Sequence, residues 1–214
     1  MKRALLLLPV FAAQIAFAQT ATLANGTLHV HDGTTLRFMG PLTFAPSAGS
    51  AVVNDGVIDL GSVATLVEPD GNPITGGGVE TAHTAIDGPF ADVEPGGLGL
   101  TITTTALGTI TVTRGHLARS FPEGDPSIAR WYRPEITGGP AAPLEVVLAY
   151  YATELNGLSA SAIGLFGADL ADGLWSPIVG TTDPIEHTVS GSVAAPWPYL
   201  TAFDQDAPTA SSTL

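Results

Sequence analysis

Gly26–Leu66 reads GTLHVHDGTTLRFMGPLTFAPSAGSAVVNDGVIDLGSVATL, and its glycines recur at intervals of roughly seven residues. Each glycine opens a short run in which apolar and polar residues alternate: Gly26–Val30, Gly33–Phe38, Gly40–Phe44, Gly49–Val53, Gly56–Leu60 and Gly61–Leu66. Alternation with a period of two marks a strand with one buried face. Asn25-Gly26, Asp32-Gly33 and Asp55-Gly56 are turn dipeptides, because Asn, Asp and Gly tolerate positive φ. Strands this short and regular predict stacked rungs of a small β-solenoid, or a meander of hairpins. Two or three rungs cannot bury their faces alone, so this segment is expected to pack on the C-terminal part of the chain.

Ahead of the repeat, Met1-Lys2-Arg3 is a short basic start, succeeded by an apolar run from Ala4 to Ala18. Ala16-Phe17-Ala18 before Gln19 fits the small-x-small pattern cut by signal peptidase, so residues 1–18 read as an export leader. The run is short and interrupted by Pro9 and Gln14, which disfavours a membrane span.

After the repeat, residues 67–98 read as a connector. Glu68-Pro69-Asp70-Gly71-Asn72-Pro73, Gly76-Gly77-Gly78 and Pro95-Gly96-Gly97 are strong breakers, with one expected strand over Val79–Ile86. From Leu98 the strands lengthen. Expected strands are Leu98–Ala106, Thr109–Arg114, Ser127–Arg133 ended by Pro134, Leu144–Tyr151, Ser161–Phe166, Leu174–Val179, His187–Val193 and Trp197–Phe203. Leu144–Tyr151 is long enough for a helix, but Val and Tyr dominate it and Asn156-Gly157 comes next as a hairpin-type turn, so strand is preferred. Strands with turn signals between them predict an antiparallel β-sandwich. The fold class is therefore all-β: a short-strand region with its connector over 19–96, a sandwich over 97–204, and a small polar tail over 205–214 expected to be disordered.

Without the leader the chain contains no lysine, and five arginines face 20 acids, a net charge near −15. Such a field repels nucleic acid and anionic membranes, so neither is expected as a partner, and no membrane span remains once the leader is gone. The chain also lacks cysteine. An exported domain without disulfides must rely on its own core, and an apolar content of 45% with only 13% charged residues supplies one.

The strings Gly97-Leu-Gly-Leu-Thr-Ile-Thr103, Thr111-Val-Thr-Arg-Gly-His116, Ser127-Ile-Ala-Arg-Trp-Tyr132, Leu148-Ala-Tyr-Tyr151, Glu154-Leu-Asn-Gly157 and Asp172-Gly-Leu-Trp175, with an aromatic strand around Trp197–Phe203, resemble a β-domain of surface proteins exported by the type IX route of gliding bacteria. This module precedes the C-terminal sorting domain in those proteins. The glycine-led strands before it are similar to repeats that often precede that domain. The resemblance implies a non-catalytic surface or matrix module within a larger protein, placed outside the cell or at its surface. The chain stops at Leu214, where a sorting domain would begin, so a periplasmic location or a truncated reading frame is the alternative expectation.

Four of the five arginines outside the leader fall between Arg114 and Arg133, beside His116. As a ligand site, Arg114, His116, Arg130, Trp131 and Arg133 would hold an anion or a sugar acid on one edge of the sandwich. The favoured reading is structural: Arg114, Arg130 and Arg133 pair with Glu145, Glu154 or other carboxylates and keep the strands in register. His29 and His31 share a strand face and would need further ligands, such as His83 or Asp59, to bind Zn or Cu. Asp169, Asp172 and Gly173, and Asp70, Gly71 and Asn72, are short acidic turns that fall short of a calcium loop. Neither a metal nor a cofactor is expected. Trp131, Tyr132, Trp175, Trp197 and Tyr199 would make a sugar-stacking surface if they shared an outward face, although aromatics in a sandwich more often fill its core.

No Gly-x-Ser-x-Gly, phosphate loop or dinucleotide fingerprint is present. The expected function is thus a non-enzymatic structural or adhesive module, with surface polysaccharide or other surface proteins as candidate partners. The alternatives are a carbohydrate-binding module and, after it, a polysaccharide-degrading enzyme.

Overall fold

A computed structural model describes residues 19–206, except 70, 121–124, 140–141, 172 and 195–197. The expected leader over residues 1–18, Asp70, Asp172, Trp197 and the expected tail from residue 207 therefore lie outside the described residues.

The glycine-led runs form three stacked coils. The first holds β1 (Gln19–Ala21), β2 (Gly26–Val30) and β3 (Thr35–Arg37), and the second β4 (Leu42–Phe44), β5 (Ser50–Asn54) and β6 (Val57–Asp59). The third holds β7 (Thr65–Leu66), a single bridge at Thr75 and the start of β8 (Val79–Ile86). Every pairing between coils is parallel, and partners lie 22 to 24 residues apart: Gln19 with Leu42, Gly26 with Ser50, Val57 with Val79. Parallel stacking decides for a solenoid over a meander of hairpins. Three sides per coil of about 22 residues give the sevenfold beat of the glycines.

Side chains that share a position stack into interior columns. Ala21, Phe44 and Leu66 form one, Leu28, Val52 and Ile74 another. The third runs Leu36, Ile58 and then Glu80. Glycine at one corner is a requirement of the stack: a Cβ on Gly56 would run into the carbonyl of Thr34, and one on Gly78 into the carbonyl of Gly56. Those carbonyls accept the N–H groups of Val57 and Val79, at 3.0 Å in both cases, so the coils cannot move apart to make room.

Residues 67–98 are thus more than a connector. Most of the third coil lies within them, along with β9 (Phe90–Val93) and a 3-10 turn at Pro95–Gly97. The breaker-rich composition misleads because a stacked corner and a loop both select Gly.

The remaining strands are β10 (Leu100–Thr104), β11 (Gly108–Gly115), β12 (Trp131–Thr137), β13 (Leu144–Ala149), β14 (Ile163–Ala168), β15 (Ser176–Pro177), β16 (Gly180–Asp183), β17 (Thr188–Val193) and β18 (Tyr199–Asp204). One sheet, in the order β16-β17-β13-β10-β9, is antiparallel throughout. The other runs β15-β14-β18-β12-β11-β8-β6-β3. It changes character at β8, which pairs antiparallel with β11 over eight residues and parallel with β6 over three. One side of the solenoid is therefore continuous with one sheet of the sandwich. A single buried cluster joins Val52, Ile58 and Leu60 of the coils to Ile102, Val112, Leu148 and Leu200 of the sandwich.

Leu144–Ala149 is a strand, with a 3-10 turn at Ala152–Glu154 just beyond it. The expected strand ended by Pro134 instead begins at Trp131 and passes through it. Pro134 is tolerated because β18 pairs only with Trp131 and Tyr132, so that side of β12 is an edge from Arg133 onward. Residues 127–129 are tied as a loop, with N–H bonds to the carbonyls of Arg119, Ala202 and Glu154.

Candidate functional site: a buried ion network under a cleft

Glu80 is completely buried where an apolar residue would continue the Leu36–Ile58 column. It is stabilised there by groups of the sandwich. The β8–β11 register sets Arg114 opposite Glu80, and the guanidinium Nε donates to Oε2 at 3.1 Å. His116, two residues along on the same face, gives a 2.6 Å contact from Nε2 to the same oxygen. Asn54 of the second coil donates to Oε1 at 2.7 Å.

Arg114 also clasps Glu68 with both terminal nitrogens, at 2.7 and 3.2 Å. Glu68 lies just after β7 and is held by the Ile74 N–H at 2.8 Å. Arg130 reaches Glu68 at 3.2 Å and Glu154 at 2.9 Å. The second oxygen of Glu154 accepts the Tyr151 N–H at 2.8 Å. Tyr132 donates to the Leu98 carbonyl at 2.7 Å, and the Arg114 Nη1 bonds to the same carbonyl at 3.2 Å. Three carboxylates, two guanidiniums and one imidazole thus join the second and third coils to β11, β12 and the turn after β13.

Burial alone would push the Glu80 carboxyl up; His116 and Arg114 outweigh it and bring its pKa down to about 2. Burial opposes ionisation of Glu68 as well, and Arg114 and Arg130 overcome it. Burial works against the charge on both arginines; Glu68 and Glu80 hold Arg114 above its ordinary value, and Tyr132, Glu68 and Glu154 do so for Arg130. Tyr132 is pushed up to about 12, mainly by burial. These shifts hold the carboxyls and guanidiniums charged and the Tyr132 phenol neutral, and none brings a group closer to exchanging a proton. The network holds fixed charge in place.

Of the five candidate residues, the structure brings together Arg114, His116 and Arg130. Trp131 and Arg133 alternate onto the opposite face of β12. There Trp131 lies beneath the Arg119 guanidinium, 4.3 Å from the ring centre, and Arg133 meets Glu135 at 2.9 Å and Tyr199 at 3.2 Å. Trp175 is buried with Phe166 and Phe203 on that outer face, and Tyr132 is buried on the inner one. Glu145 is exposed on β13 and outside the network. Glu68 and Glu80, which no motif flagged, carry most of it. The signal for Glu80 is its place 22 residues after Ile58 and 44 after Leu36. His29 bonds to Asp55 at 2.7 Å and stacks on His31, while Asp59 is held by Arg37. Among the described residues no group of three His, Asp or Glu is placed to hold a metal ion.

Above Arg130 and Glu68 lies a cleft of about 510 Å³ between coil and sandwich, walled by Glu94, Tyr150, Tyr151, Glu186 and His187. His187 adopts a left-handed backbone (φ 53), unusual for a side chain with a Cβ. Its ring lies 5.4 Å from that of Tyr150, whose buried hydroxyl has no partner among the described residues.

Comparison with protein-family models, curated proteins and solved structures gave no match.

Proposed function

We propose that the chain is an exported, non-enzymatic structural or adhesive module of the cell surface or extracellular matrix, of the kind that precedes the sorting domain in type IX-secreted proteins. The observation that carries this reading is the use made of the arginine cluster. Arg114 and Arg130 spend their donors on Glu68, Glu80, Glu154 and backbone carbonyls, and tie the coils to the sandwich. A surface protein under mechanical stress needs such a tie, and a catalytic cleft would need those groups free. The leader pattern and the acidic composition, without lysine beyond residue 18, point the same way. Fractionation of producing cells tests it: mass spectrometry should find a chain beginning at Gln19 outside the inner membrane, and deletion of the gene should weaken attachment of cells to surfaces or to one another. A chain kept in the cytoplasm with residues 1–18 intact would overturn the reading.

The cleft favours carbohydrate binding as the second reading. The carboxylates of Glu94 and Glu186 and two tyrosines suit a hydroxyl-rich ligand, and the volume falls in the usual range for small-molecule sites. A glycan array probed with the chain and with a Tyr151→Ala variant separates the two readings.

A further inference from the structure

The cleft above Arg130 and Glu68 has a definite charge. Arg130 is the only arginine or lysine among the residues that line it, and its guanidinium is already engaged. Nε donates to Glu154 at 2.9 Å and Nη2 to Glu68 at 3.2 Å. Nη1 reaches the Tyr132 hydroxyl at 3.4 Å and the Ala149 carbonyl at 3.5 Å. Two carboxylates therefore answer its charge before any ligand arrives, and the side chain is buried.

Two of the carboxylates lining the cleft are in the opposite condition. Glu94 gives one oxygen to the Gly99 N–H; its other oxygen, and both oxygens of Glu186, have no partner among the described residues. Both residues are exposed. Each is set in place by its own element. Glu94 stands just ahead of the turn at Pro95–Gly97, and Glu186 lies in the β16–β17 turn, where the Asp183 Oδ1 accepts the N–H groups of Ile185 and Glu186 at 2.9 and 3.0 Å.

An independent feature is neutral. Tyr150 lines the same cleft and is only 3% exposed, yet its hydroxyl has no partner among the described residues. A buried hydroxyl left unpaired is unfavourable, and a ligand oxygen entering the cleft relieves it.

We propose that the cleft binds an amino sugar, a hydroxyl-rich ligand that carries a free ammonium group. Glu94 and Glu186 take the ammonium, and Tyr150 donates to a sugar oxygen. The proposal rests on the carbohydrate reading and names the sugar class within it. A sugar acid would bring a third negative charge to Glu94 and Glu186 with no free guanidinium to meet it. A neutral sugar would shield the two carboxylates from water without pairing them. An ammonium sugar supplies the missing charge through charge-assisted hydrogen bonds.

The test is isothermal titration calorimetry of the full chain with trimers of glucosamine, N-acetylglucosamine and galacturonic acid. The glucosamine trimer should bind, the N-acetylated trimer roughly tenfold or more weaker, and the acidic trimer not at all. Glu186→Gln and Tyr150→Phe should each weaken the glucosamine trimer several-fold. Glu145→Gln, on the exposed face of β13 and outside the cleft, should change nothing. If none of the three trimers binds, the carbohydrate reading fails and this inference with it. If the neutral or the acidic trimer binds as well as the glucosamine trimer, that reading stands and this inference alone is overturned. It is overturned likewise if spermidine binds as tightly as the glucosamine trimer, because the site then takes any cation. A loss with Glu145→Gln equal to that with Glu186→Gln, or no loss with either Glu186→Gln or Tyr150→Phe, overturns it too, because the trimer is then held outside the cleft.

Discussion

The solenoid and the sandwich bury similar side chains by different rules. In the solenoid a residue pairs with another 22 to 24 places away, in parallel, so each position must suit the residues above and below it. In the sandwich a strand answers mainly to the alternation of its own two faces, and its partners are antiparallel. The first rule is strict at corners and lenient about composition. The second is strict about alternation and lenient about spacing. β8 obeys both, and at β8 the apolar column of the coils ends in Glu80. A charge at that position stabilises neither half alone. It is compatible with the fold only where β11 supplies Arg114 and the residue just after β11 supplies His116, which makes the two regions a single unit.

The largest expected effect separates this picture from one of two independent halves. Glu80→Ala leaves Arg114 without one buried partner and should cost about 3–5 kcal/mol in chemical denaturation, with solenoid and sandwich still melting together. The same carboxylate sets a pH response. Its folded pKa of about 2 lies below the ordinary 4.5, so its contribution is complete above pH 4.5 and fades as the pH falls toward 2. Acid titration of stability should show a loss in that window that is absent from a Glu80→Gln variant. Leu148→Ala, in the sandwich core, should cost about 2–5 kcal/mol by opening a cavity. Gly78→Ala probes the rule of the coils: the new methyl meets the Gly56 backbone, for an expected loss of about 1–3 kcal/mol. The smallest effect belongs to the exposed Arg133–Glu135 pair, where Glu135→Ala should change stability by less than about 1 kcal/mol.

Much of the solenoid is legible in Gly26–Leu66, because alternation and the glycine beat are local signals. The third coil is not, since Gly76-Gly77-Gly78 reads as a breaker until its stacking partner Gly56 is known. Asn156-Gly157 reads correctly as a turn, with φ of 53° and 90°. The arginine cluster is legible as ion pairs, and Glu154 as one partner. Glu68 and Glu80 are hidden because they lie 46 and 34 residues from Arg114. Trp131 and Arg133, two apart on β12, share its outer face by the alternation of a strand, whereas Arg130 lies just ahead of β12 and turns inward to Glu68 and Glu154.

The most direct measurement of the shared unit is hydrogen exchange of the wild type and of Glu80→Gln, monitored over β6, β8 and β11. If the network joins coil and sandwich, the three strands exchange through one common opening in the wild type, and the substitution lowers their protection together. Strands of the coils that open on their own in the wild type, with β11 unaffected by the substitution, would contradict it.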